Sequence, residues 1–77
     1  MNTECFISRT VKGVITITIA KKFLEQQPVS MVTKAQEELL EIIRDHQRRG
    51  NRVEILDSIF QLPLKIRVET SEVKRGN

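Results

Sequence analysis

Thr33-Lys34-Ala35-Gln36-Glu37-Glu38-Leu39-Leu40-Glu41-Ile42-Ile43-Arg44-Asp45-His46-Gln47-Arg48-Arg49-Gly50 carries the pattern of one amphipathic helix, and the rest of the chain has to be arranged around it. Val32, Ala35, Leu39, Ile42, Ile43 and His46 recur at the spacing that collects side chains on one helical stripe, and Leu40 widens it. Thr33 stands where an N-cap belongs, with Gln36 three residues on completing a capping-box pattern, so the helix is expected from about Lys34 to Arg49. Glu37, Glu38 and Glu41 crowd its first half and Arg44, Arg48 and Arg49 its second, which matches the helix dipole. Gly50 supplies a residue able to take the left-handed conformation that closes helices.

Upstream, the period changes to two. Val14-Ile15-Thr16-Ile17-Thr18-Ile19-Ala20 alternates β-branched residues, with Ile15, Ile17 and Ile19 on one face and the threonines on the other. Thr3–Thr10 also favours a strand, and Val11-Lys12-Gly13 joins the two into a hairpin. A two-residue turn needs φ > 0 at both Lys12 and Gly13, and lysine is poor there; a three-residue loop asks it of Gly13 alone. The three-residue loop pairs Thr10 with Val14, Ile7 with Ile17 and Cys5 with Ile19, so that Cys5 and Ile7 join the isoleucine face. The other register puts Phe6 on that face beside Ser8 and Thr10. The first is the expectation. Ala20–Gln27 reads either as more strand or as a short helical turn carrying Phe23 and Leu24, and Pro28 ends it.

Downstream of Gly50, Arg52–Leu56 reads as a strand or a helical turn, and Asp57-Ser58 as a break. Leu64, Ile66 and Val68 alternate with Lys65, Arg67 and Glu69, the pattern of a strand with one face buried and one wet, and Pro63 stands at its start. Together these elements predict a two-layer α+β domain over residues 1–69. It has an N-terminal antiparallel β-hairpin, one long amphipathic helix, and one or two C-terminal strands in the same sheet. Residues 70–77 have little to bury and are expected to form a flexible C-terminal tail.

A 77-residue chain builds a small core, worth about 3–5 kcal/mol net unless something staples it. With one cysteine, Cys5, and one histidine, His46, neither an internal disulfide nor a four-ligand Cys/His zinc site can be assembled. Self-association remains, and a homodimer is the expectation. Met1-Asn2-Thr3-Glu4-Cys5-Phe6 lacks the cationic start and apolar run of a signal peptide, and Val14–Ala20 is far short of the roughly 20 residues that span a bilayer. A cytoplasmic location, away from membranes, is therefore expected.

Catalytic chemistry finds little to use. Cys5 has no neighbouring cation to activate it. His46 closes the helix stripe, and Asp45 beside it points elsewhere. Glu37 and Glu41 lie one turn apart on a solvated face, and the glycines are too scattered for a phosphate loop. No enzyme activity, cofactor, metal or small-molecule ligand is expected.

The basic residues offer more. With a net charge of +3, Arg44, Arg48, Arg49 and Arg52 gather at the helix C-terminus, and Lys65 and Arg67 project from the last strand. Without Trp or Tyr, a stacking platform for single strands is poorly supplied. Two functions follow as expectations. The first is a non-enzymatic binding or regulatory module with a protein partner of unknown identity, acting as a homodimer. Its helices would pack antiparallel, with the glutamates of one against the arginines of the other. The alternative is a nucleic-acid-binding regulator using those six basic residues.

Overall fold

Apolar stripes of period two and of helical period within so short a chain can be buried only against each other, and the fold is that encounter. The computed structural model describes residues 5–70. It runs β1 (Phe6–Val11), β2 (Val14–Ile19), α1 (Lys21–Gln26), α2 (Val29–Arg48), β3 (Arg52–Ile59) and β4 (Leu62–Glu69). The strands form one antiparallel sheet in the order β1-β2-β4-β3. Helix α2 lies on one face of it, so that Ala35, Leu39 and Ile43 meet Ile17, Ile19, Ile66 and Val68 in a single core. The expected α+β architecture is present, with both C-terminal strands in the sheet. Ala20–Gln27 resolves as the helical alternative, with Phe23 buried in the same core.

The helix begins five residues before Lys34. Pro28 takes the N-cap position with φ −67° and ψ 161°, and its carbonyl accepts from the Met31 and Val32 amides at 3.0 and 3.1 Å. Proline forces the preceding Gln27 into extended backbone, φ −103° and ψ 148°, so the chain breaks there and the next helix starts at once, leaving Thr33 inside its second turn. The capping-box reading of Gln36 fails with it. The far end closes as expected: Gly50 adopts φ +84° and the Asn51 amide reaches back to the His46 carbonyl at 2.9 Å.

The first hairpin takes the register the turn chemistry disfavours. Val11 pairs with Val14, Thr10 with Ile15, Ser8 with Ile17 and Phe6 with Ile19, around a two-residue turn in which Lys12 has φ 50° and Gly13 φ 81°. The left-handed lysine costs about 1–2 kcal/mol, but this register brings Phe6 rather than Ile7 against the core, and Ile7 stays on the outer face, 55% exposed. Packing the Phe6 ring against the core is the gain set against that penalty. Cys5, just before β1, still packs against the core, half-buried. Because Lys12 makes the turn under strain, Lys12→Asn should raise stability by about 0.5–1 kcal/mol. A urea titration checks this, with the midpoint rising at unchanged slope.

No break occurs at Asp57-Ser58. The β3–β4 ladder shifts register on either side of Asp57 and continues to Ile59↔Leu62, so the polar pair marks a bulged, twisted edge rather than a strand end. Pro63 falls beyond the reach of β2, whose pairing with β4 stops at Lys65, so its missing N–H is not needed there. Thr70, placed in the tail by sequence, is anchored instead: its amide and hydroxyl both donate to the Gly13 carbonyl, at 3.1 and 2.9 Å. The rest of that tail, and the N-terminal residues Met1–Glu4, lie outside the described residues.

Candidate interaction surface

Helix α2 covers one sheet face and leaves the other open, and strand register divides the six basic residues between the two layers. Arg44 and Arg48 stand on α2 and Arg49 at its C-cap, all engaged with helix carboxylates: Arg44 with Glu41 at 2.8 Å, and Arg49 and Arg48 with Asp45 at 2.7 and 3.9 Å. Arg52, Lys65 and Arg67 lie on the opposite side, on the open face of the sheet. That face is a grid of three rows across β1-β2-β4-β3: Val11-Val14-Glu69-Arg52, Arg9-Thr16-Arg67-Glu54 and Ile7-Thr18-Lys65-Asp57. Cations and carboxylates alternate along it, and Arg67 is held between Glu69 at 2.6 Å and Glu54 at 3.7 Å. Arg52 and Lys65 form no ion pair with any described residue. The structure thus gathers three of the six on each layer and does not join the two sets.

Cys5 and His46 are also kept apart. Cys5 borders a shallow cavity of about 510 Å³ together with Phe23, Met31, Ala35 and the acidic first half of α2. Burial, and secondarily the Glu38 carboxylate, push its thiol pKa above the usual value, the direction opposite to nucleophile activation. His46 sits two turns beyond Glu38, about 12 Å along the helix, with Nδ1 3.0 Å from the Asn51 side-chain amide nitrogen. Among the described residues no three His, Cys, Asp or Glu side chains converge as a metal site would require.

Exposed apolar surface is concentrated elsewhere. Ile55, Leu56, Ile59 and Phe60 are all exposed along β3 and its turn, and Val29 at the start of α2 is 70% exposed. Between them runs an apolar groove of about 220 Å³, walled by Leu24, Val29 and Val32 on the helical side and by Ile59, Phe60 and Leu64 on the other. None of its lining residues, which also include Gln27, Thr33 and Gln36, is ionisable.

Two unusual residues build this groove. Phe60 and Gln61 form a two-residue turn with φ 55° and 64°, a left-handed pair without asparagine or glycine, and Phe60 is 75% exposed. Such backbone costs on the order of 1–3 kcal/mol per residue, and for a bulky side chain it is rare. Gln36, fully buried in the face of α2, donates through Nε2 to the Ile59 and Leu62 carbonyls at 3.1 and 3.2 Å. One amide thereby fastens both sides of the turn to the helix. Its Oε1 is buried with no hydrogen-bond partner among the described residues. The fixed donor side explains the orientation, since a flipped amide would point oxygen at two carbonyl oxygens.

No protein-family model, curated protein or solved structure matches this chain. The surface itself must carry the functional reading. No helix among the described residues is long and apolar enough to cross a membrane.

Sequence reasoning missed both Gln36 and Phe60. Gln36 falls at helical spacing with Val32, Leu39 and Ile43, so a polar side chain inside the buried stripe was the available signal. For Phe60 the signal was its place between two apolar runs that a two-residue turn can join.

Proposed function

We propose that the protein is a non-enzymatic binding module that acts as a homodimer. The observation carrying this reading is the exposed apolar flank of β3, the hairpin tip and the start of α2, on a chain whose core is small. Taking ordinary side-chain areas of about 150–200 Å², that flank presents on the order of 500 Å² of apolar surface, the upper range for a monomer's largest patch. The helix-to-helix arrangement is less favoured as the contact. The outer face of α2 presents Lys34, Glu37, Glu38, Glu41, Arg44 and Arg48, and much of that charge is already paired within the helix. Sedimentation velocity from micromolar to near-millimolar protein tests the reading. Mass action predicts a dimer fraction that grows with concentration. A strict monomer throughout would remove it.

Nucleic-acid binding is the second reading, and one observation favours it: Arg52 and Lys65 share the open sheet face without carboxylate partners. The alternating signs around them supply no continuous cationic track for a phosphate backbone. A gel-shift series across salt tests this. Binding that weakens steeply with salt, and is lost in Arg52→Ala/Lys65→Ala, supports it; no shift at low salt ends it.

A further inference from the structure

We propose that the homodimer contact is reciprocal: Phe60 of each protomer seats in the groove between α2 and the hairpin tip of the other. This rests on the homodimer reading and adds the interface to it.

Four observations converge on this occupant. Phe60 combines two liabilities that nothing among the described residues relieves, a left-handed backbone and 75% exposure to solvent. A turn serving only to reverse the chain is better made from Asn-Gly; a phenylalanine there makes sense as a ring presented to something. The presentation is rigid, because the Gln36 amide holds the carbonyls on both sides of the turn, so little order is lost on docking.

The receiving groove has suitable size and chemistry. Its 220 Å³ exceeds the roughly 150 Å³ of an apolar cavity known to admit benzene, so a phenyl ring can enter. Its walls are apolar. A surface docking on its own copy brings identical charges together, and this groove has no ionisable lining residue to repel itself.

Finally, ring and groove lie side by side on one patch, since Phe60 itself forms part of the groove's wall. That is the requirement of an isologous contact: one two-fold axis through the patch fills both grooves at once. The apolar surface removed from the two protomers together is on the order of 1,000 Å², which a polar rim extends to the lower end of stable interfaces, near 1,200 Å².

The test uses the full chain and two variants. Phe60→Asn removes the ring while suiting the left-handed turn, so it should melt as a monomer no lower than the parent's monomer does. Its dimer dissociation constant should be weaker by at least about a hundred-fold, because two central aromatic anchors are lost per dimer. Val29→Lys, at the exposed groove wall, should weaken dimerisation similarly while leaving Phe60 in place. Mixing the two variants should partly restore association, because an intact Phe60 ring then meets a groove that keeps Val29 and has lost only the Phe60 part of its wall. A dimeric Phe60→Asn with parental affinity overturns the interface and leaves the homodimer standing. A parent chain that is monomeric at every concentration overturns both.

Discussion

Replacing Gln36 with Glu should leave the protein largely unfolded at neutral pH. The Gln36 Nε2 stands 3.1 and 3.2 Å from the Ile59 and Leu62 carbonyl oxygens with the residue fully buried. A carboxylate there faces two carbonyl oxygens with no donor among the described residues in return. Leaving a buried charge uncompensated costs about 3–5 kcal/mol, the whole net stability of a chain this size. The pH dependence has a definite sign. Burial without a cation raises the folded-state pKa of the new carboxyl above its unfolded value of about 4.3. Stability is then retained below that unfolded value and lost as pH rises through the folded pKa. Acid should therefore recover part of the structure, because the neutral carboxyl can donate to one carbonyl. Gln36→Met, which loses both hydrogen bonds but buries no charge, should cost only about 1–3 kcal/mol. Urea titrations followed by circular dichroism at neutral and acidic pH check the set. Parental stability of the Glu variant at neutral pH would mean that the hairpin tip is not tied to the helix.

Leu39→Ala should be comparably severe, for an apolar reason. Leu39 is fully buried at the centre of the cluster in which α2 meets Ile66 and Val68. A buried leucine cut to alanine loses about 2.7–5 kcal/mol through transfer and cavity terms together, again near the total. Leu40, half-buried on the widened edge of the same stripe, serves as the comparison: Leu40→Ala should cost distinctly less, since its site is already partly solvated. Thermal melts should show a cooperative transition for Leu40→Ala and little or none for Leu39→Ala. A cooperative melt of Leu39→Ala close to the parent would place the core elsewhere than between α2 and the sheet.

The parts of this fold legible in the sequence were those whose cause is local. The helical stripe from Ala35 to Ile43, the alternation of Ile15, Ile17 and Ile19 and of Leu64, Ile66 and Val68, and the left-handed closure at Gly50 all follow from periodicity or from one residue's conformational freedom. What was misread depended on contacts distant in sequence. The strain at Lys12 is a local penalty, and the packing of Phe6 set against it appears only once the sheet meets the core. Gln36 fits a capping box by spacing, but its hydrogen-bond partners lie 23 and 26 residues away, where no local motif reaches.

The candidate site was less legible still. Arg44, Arg48, Arg49 and Arg52 are neighbours in sequence, yet the turn at Gly50 sends Arg52 to the far side of the sheet from the first three. Their partners in ion pairs, Glu41 and Asp45 on the helix, were visible as residues, but their engagement depends on side-chain geometry. The apolar flank went unseen because the sequence left Arg52–Leu56 between strand and helical turn and placed a break at Asp57-Ser58. Ile55 pairs with the buried Ile66 on the helix-facing side and is still exposed, because β3 is the edge strand of the sheet.

The most direct measurement is an isotope-filtered NOE spectrum of a dimer reconstituted from labelled and unlabelled chains, which reports only contacts between copies. Cross-peaks are expected from the Phe60 ring of one chain to the Leu24 and Val32 methyls of the other. Intermolecular peaks that arise from other residues and leave Phe60 without any would contradict the reciprocal seating of Phe60.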